Sequence, residues 1–339
     1  MLPLACPGVP RIAGCAQHDA AAARLGAERR RLFIASAVLT PVALLLPYLT
    51  GAWETLWFGL ASWPLPLWAR AILFLLLLHG LLAIAVLPLS YYGGYTLAHA
   101  FGLSRQSRGA WFGDWLKGAF VGVVLGSAVG GAFLWIVITT GQAWWWVFGL
   151  LVSGLMVLFV FVMPYLLVPL FFKMRPLTDE ATVGRIRALV SRAGTPVRDV
   201  CSLDFSRRTA EANAAVIGLG RSRRVVIADT LLAEFSPGEV DAVVAHELGH
   251  HVHRDVQRLL IGNGVLMWLG LAVAGRFAPV ALPVLSLPNL EYVPGYPVLL
   301  AVTEIFFLLA SPLLNWWSRQ LESTADRFAL QLTRDPGSF

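Results

Sequence analysis

The chain has 339 residues, of which 57% are hydrophobic and only 14% charged, where a soluble domain carries about 25% charged residues. The deficit falls in long uncharged runs, which excludes an ordinary soluble enzyme. The formal net charge of +6 follows the placement of those runs and gives no argument for a nucleic-acid partner.

Residues 1–31 form an Ala- and Arg-rich tail that closes on Arg29, Arg30 and Arg31. Uncharged runs follow at 32–52, 71–92, 119–140 and 143–172, the second holding His79. Two more lie at 259–275 and 296–317, the latter with Glu304 inside it. About 20 apolar residues cross a bilayer, so the pattern predicts an α-helical multi-pass membrane protein with six spans. Three parts result: a tail at 1–31, a membrane domain of four spans at 32–172, and residues 173–339, which hold two further spans and the polar segments. Arg105, Arg108 and Lys117 lie between the second and third runs, while 53–69, 141–142 and 277–295 carry no Lys or Arg. The positive-inside rule then puts both termini and the polar segment 173–258 in the cytoplasm. Cys6, Cys15 and Cys201 are scattered and read as free thiols on that reducing side. The first run begins only at residue 32 and is long for a signal core, so no cleavable signal peptide is expected. Rich Ala, Leu, Gly and Arg usage points to a bacterial inner membrane.

The segment 173–258 reads as a small α/β unit. Residues 179–193 suit a helix that Gly194-Thr195-Pro196 stops. Val197 to Leu203 suits a strand. Asn213 to Ile217 and Arg223 to Ala228 suit a β-hairpin turned by Gly218-Leu219-Gly220-Arg221-Ser222. Ser236, Pro237 and Glu239 give an N-cap, a first-turn proline and a capping box, with Phe235 and Val240 spaced as a hydrophobic staple. The helix they start carries His246-Glu247-Leu248-Gly249-His250. It is expected to run on into the fifth span and so hold the site near the bilayer surface.

Residues four apart in a helix lie one above the other, so His246 and His250 can offer imidazoles to one metal ion. Glu247 sits beside them, where it can act on water without being a ligand. Glu322 is the leading candidate for a third ligand; two His and one Glu leave a position open, the plan of a catalytic zinc site. Asp326, one turn after Glu322, suits a carboxylate that accepts from a ligand imidazole. The competing reading of Glu322 and Asp326 is an acidic stripe paired with Arg319 and Arg327. His251, about 100° around the helix from His250, and His253 suit a polar helix surface, although His253 lies near the His250 face and could compete as a ligand. Asn213 can begin a strand edge that takes an extended peptide by strand addition, or can simply end a turn; spacing leaves both open. Glu304 can line a hydrated interior, and His79 suits a neutral ring packed among helices.

His246-Glu247-Leu248-Gly249-His250 followed by Glu322-Ser323-Thr324-Ala325-Asp326 resembles the two signatures of the type I CAAX prenyl protease family of integral-membrane zinc metallopeptidases. Asn213-Ala214, Gly218 and Arg224 to Leu232 are similar to that family's stretch before its metal helix. Gly102-Leu103-Ser104, with Trp111, Asp114 and Lys117, resembles its loop between membrane helices. The resemblance implies an α-helical membrane barrel around a water-filled chamber. It implies one zinc per chain on His246, His250 and Glu322, Glu247 as general base, Asp326 beside the ligands, and Asn213 and Ala214 at the substrate. It implies a metalloendopeptidase acting on peptides or proteins, lipid-modified ones among them; a membrane quality-control protease of the HtpX type is the runner-up. Members of the family often have seven spans and continue well past the second signature, where groups that stabilise the reacting carbonyl lie. A chain ending at Phe339 is therefore expected to bind zinc and peptide and to cleave slowly.

Overall fold

The computed structural model describes residues 15–166, 172–207, 209–218, 223–284 and 287–338. The expected hairpin turn at 219–222 and residues 1–14 of the N-terminal tail, Cys6 among them, lie outside them. Cys201 is a buried free thiol.

The first helix spans Cys15–Leu49, so the end of the expected tail is continuous with the first apolar run. Ala20 to Ala23, the best helix formers, carry it back past Arg29 to Arg31. Helices follow at Ala52–Ala61, Leu67–Tyr91, Arg108–Thr140 and Trp144–Leu166. The helix Leu67–Tyr91 continues through a π-helical stretch at Tyr92–Leu97 to Ala100, where Trp111 packs so closely on Gly94 that a Cβ there would stand 2.9 Å from its Nε1. Two long helices, Asp255–Val284 and Tyr296–Thr333, complete the membrane part.

Among the described residues, five stretches are long and apolar enough to cross a membrane: Ala20–Leu49, Leu67–Ala100, Arg108–Val160, Asp255–Arg276 and Val293–Thr333. The third and fourth apolar runs of the sequence share the 53-residue stretch Arg108–Val160. That stretch is not straight. A 3-10 turn at Gly141–Ala143 breaks it, with Gly141 at φ 52, and the Phe133 and Phe148 rings lie 5.1 Å apart across the turn. In one continuous helix they would be about 22 Å apart. The two helices therefore fold back on each other. Phe120, Trp135, Leu150, Ile261 and Leu309 are exposed around the bundle, as side chains facing lipid must be.

Residues 172–253 hold a four-stranded sheet in the order β1-β2-β4-β3, with β1 at Met174–Pro176, β2 at Asp199–Leu203, β3 at Ala214–Ile217 and β4 at Arg224–Ala228. β2 and β4 are parallel, and β3 and β4 form the antiparallel hairpin. The helix Glu180–Arg192 is capped by the Asp179 carboxylate and ends at Gly194, φ 63. It packs with the helix Pro237–Val252 on one face of the sheet, around Ile186, Leu189, Val225, Ile227, Val244 and Leu248. The loop after the second membrane stretch is tied to this unit. Leu103 C=O accepts from Ala210 N–H at 3.0 Å and from the Thr209 hydroxyl at 2.7 Å. Arg105 pairs with Glu234 at 3.1 Å, and Arg29 with Glu211 at 3.2 Å.

The helix Pro237–Val252 carries the His–Glu–His motif and is called the motif helix below. Glu239 accepts from the Ser236 backbone N–H at 2.8 Å, fixing its start. It does not run on into the apolar run at 259–275 as expected. Arg254 takes a left-handed conformation, φ 58, and a new helix begins at Asp255.

The motif helix packs most extensively against Tyr296–Thr333, the long helix that carries Glu322 and Asp326. Gly249 makes the approach close: a Cβ there would lie 3.1 Å from Ala325 Cα and 3.3 Å from its carbonyl oxygen. The obstacle is backbone, which cannot swing aside. Gly249→Ala raises helix propensity by about 1 kcal/mol, yet it is expected to part the two helices and weaken metal binding by about tenfold or more, the scale of a misoriented ligand. Metal titration against a competing chelator measures this; an unchanged affinity would show that the close approach does not set the site.

Candidate metal centre

His246 lies at the packed middle of the motif helix and is buried; His250, a turn later, is half-buried. Their Nε2 atoms are 3.1 Å apart. Glu322 Oε2 stands 3.4 Å from His246 Nε2 and 3.9 Å from His250 Nε2. Among the described residues these three form the group able to hold a metal ion. Three corners of a tetrahedron with bonds of about 2.0–2.2 Å are separated by about 3.3–3.6 Å, so one ion fits between these atoms.

The outer nitrogens explain why. His250 Nδ1 is 2.9 Å from the Asp255 carboxylate. His246 Nδ1 is 2.9 Å from Asp326 Oδ1, close but bent, so that no well-aligned hydrogen bond reaches this buried nitrogen. A carboxylate beside Nδ1 draws the proton there and leaves a lone pair on Nε2. Two Nε2 lone pairs and a carboxylate oxygen then converge with no donor among them. Like acceptors at 3.1–3.9 Å repel, and a cation between them removes the conflict. Burial holds the His246 imidazole below its usual pKa, with His250 pushing the same way, against Asp326 and Glu322. The neutral ring is the form that ligates.

Glu247 follows His246 in the motif helix and is not one of the three clustered residues. Burial pushes its carboxyl up to about 7, with His250 pulling it down and Glu322 pushing it further up. A carboxyl poised there can take and return a proton near neutral pH.

The other sequence candidates sort by geometry. His251 Nε2 is 2.7 Å from the carbonyl of Val216 on β3. His253 Nδ1 is 2.9 Å from Gly249 O, and its ring packs on Phe328. Neither joins the His246–His250–Glu322 cluster. Asn213 is exposed and precedes edge strand β3; Ala214 is buried, its methyl in the core of the α/β unit. His79 lies against Leu75 O at 2.8 Å, Ser127 Oγ at 3.3 Å and the Tyr296 ring. Glu304 is exposed on the long helix.

Sequence reasoning missed Asp255. On a continuous helix, five residues past His250 is about 140° around the axis, so Asp255 could not reach its ring. The break at Arg254 turns the chain and brings the nearly fully buried Asp255 carboxylate back to His250, with Arg258 3.4 Å away on its other side. The one signal was an acidic residue where the first turn of a new helix would favour it. Asp255→Ala is expected to weaken metal binding by about 10- to 100-fold, with Asp255→Asn milder because its amide oxygen still accepts. Chelator competition on purified protein checks both; no loss in Asp255→Ala would remove the residue from the site.

Two family models match the chain in order. One, described as CAAX prenyl protease N-terminal, five membrane helices, covers residues 16–173. The other, peptidase family M48, covers residues 176–338. The chain is 24% identical over 266 residues to the uncharacterized metalloprotease YhfN of Bacillus subtilis, covering 77% of this chain and 62% of that one. It is 30% identical over 194 residues to CAAX prenyl protease 1 of Saccharomyces cerevisiae, covering 57% of this chain and 43% of that one. The chain thus spans less than two thirds of either relative. The crystal structure of S. mikatae Ste24p shares the fold, with a TM-score of 0.74 at 23% identity over 89% of this chain and 77% of that one. Matched in both halves and in this order, the chain belongs to peptidase family M48, among the CAAX prenyl protease homologues.

Proposed function

We propose that this chain is a membrane-embedded zinc metalloendopeptidase. The observation that carries the reading is the convergence of His246 Nε2, His250 Nε2 and Glu322 Oε2 beside a Glu247 carboxyl held at about 7. Zinc, when bound by these three, supplies Lewis acidity toward water and a peptide carbonyl. The chain's own residues do the rest. Asp326 and Asp255 hold the two imidazoles in the ligating tautomer. Glu247 takes a proton from the attacking water at its carboxylate and returns one to the leaving amine. Asn213 and the outward backbone of Ala214 take an extended peptide along the edge of β3.

The substrate is a peptide or protein. Relatives named CAAX prenyl proteases support a lipid-modified C-terminus as one form of it. Hydrolysis of a farnesylated peptide and of its unmodified twin by the zinc-loaded chain decides this, and preference for the unmodified one would favour quality-control proteolysis of the HtpX type.

The topology belongs to the same proposal. The two helices folded back at Gly141 cross the bilayer separately and give six crossings, with the motif helix on the cytoplasmic side of a bacterial inner membrane. Arg29 to Arg31 and the Arg residues of 173–258 support this by the positive-inside rule. With the native cysteines replaced, a single cysteine at exposed Glu180 should resist an impermeant maleimide in intact cells and label after permeabilisation. Labelling before permeabilisation would invert the topology.

Glu247→Gln is expected to abolish hydrolysis while keeping about one zinc per chain. His246→Ala, His250→Ala and Glu322→Ala should each lose most of the metal, and His253→Ala should keep it. Elemental analysis of purified variants reads the outcome. Zinc loss in Glu247→Gln would make that residue a ligand and end the general-base assignment.

A further inference from the structure

β3 is an edge strand, and its backbone groups alternate between β4 and the open side. Asn213 C=O accepts from Ala228 N–H at 2.8 Å, so Asn213 and Ala215 turn toward β4 while Ala214 and Val216 turn outward. The outward Val216 carbonyl is already taken by His251 Nε2 at 2.7 Å. The outward N–H and C=O of Ala214 have no partner among the described residues. His251 sits on the motif helix, directly after His250, with its ring turned about 100° away from the metal cluster.

A peptide added antiparallel to a strand makes a full pair with a residue only when both its N–H and its C=O are free. We propose that His251 is a positioning residue that ends peptide pairing on β3 at Val216, so that the site grips an extended substrate through one full backbone pair, at Ala214. This rests on the strand-addition reading above. The same bond ties the edge strand to the motif helix and so fixes where that pair stands along the helix that carries the two histidines. A substrate strand cannot zip further along β3; past Ala214 it must leave the sheet. The site therefore favours short extended segments over long β-structured ones.

The test is a backbone N-methyl scan of a fluorescent peptide, its binding measured on the zinc-loaded, full-length Glu247→Gln protein. The peptide residue opposite Ala214 donates to its carbonyl, so methylation there should weaken binding by about threefold or more. The residue two positions away would face the Val216 carbonyl, which His251 occupies, so methylation there should be silent. Adding His251→Ala should make the silent position sensitive and tighten binding of longer peptides by about 2- to 10-fold. Adding His251→Gln instead, whose amide N–H can reach the same carbonyl, should restore silence. If His251→Ala loses zinc, the scan on the His251-containing protein still decides. Equal sensitivity at both positions, or a His251→Ala protein with the unaltered pattern, would overturn the proposal. A peptide that fails to bind at all would remove the strand-addition reading with it. Retained binding without turnover in the protein bearing Glu247 would remove the catalytic reading alone.

Discussion

The metal cluster depends on two backbones meeting at Gly249. His246 and His250 are local to one helix and need only helical spacing. Glu322 and Asp326 arrive on another helix more than 70 positions later in the chain, and they reach the histidines only because Gly249 lets Ala325 within 3.1 Å of where a Cβ would be. Ala325 and Ala329 are fully buried, so the approach has no long side chain that could yield. The glycine between the two histidines is thus a packing requirement as much as part of a motif. Its cost in helix propensity is offset by the contact it permits.

That contact also sets the chemistry. Bringing Glu322 to 3.4 Å from His246 places three acceptors around one point. Bringing Asp326 to the far side of the same ring favours a proton on that side and a lone pair on the near one. Asp255 does the same for His250 from the other direction. Acidic groups behind both imidazoles make the front of the cluster a place for a cation, and the burial of Glu247 next to it raises that carboxyl above its usual pKa.

Much of this was legible in the residues. Ser236, Pro237 and Glu239 announced the start of the motif helix, and helical phase separated His246 and His250 from His251. The hairpin of β3 and β4 followed from two β-branched runs flanking a glycine-rich turn. What escaped depended on tertiary context. Nothing in Val252-His253-Arg254-Asp255 resembles a helix breaker, since the stop is made by one left-handed arginine and not by Gly or Pro. Strand β1 is three residues long, too short for periodicity to register. The third and fourth apolar runs read as separate spans in the sequence, whereas they share one long apolar stretch, joined closely by the Gly141 turn and the Phe133–Phe148 contact. Gly102 takes a left-handed conformation, φ 68, and the Leu103 C=O after it meets Thr209, 106 positions away, a pairing no local pattern could show.

Those ties explain how a small sheet of four short strands can hold a catalytic geometry at a membrane. The sheet packs a core of its own against two helices, around Val225, Ile227, Val244 and Leu248, and further ties run to the loop after the second membrane stretch through Leu103, to the first helix through Arg29 and to the motif helix through His251. The long helix Tyr296–Thr333 carries lipid-exposed side chains at one end and Glu322 and Asp326 at the other, with Pro312 between them. Movement of its last turns along their axis would shift Glu322 and Asp326 together, by one amount, relative to histidines anchored on a different helix. The residues that resist this sliding are the small ones at the crossing, and so the site's geometry is set where its side chains are smallest.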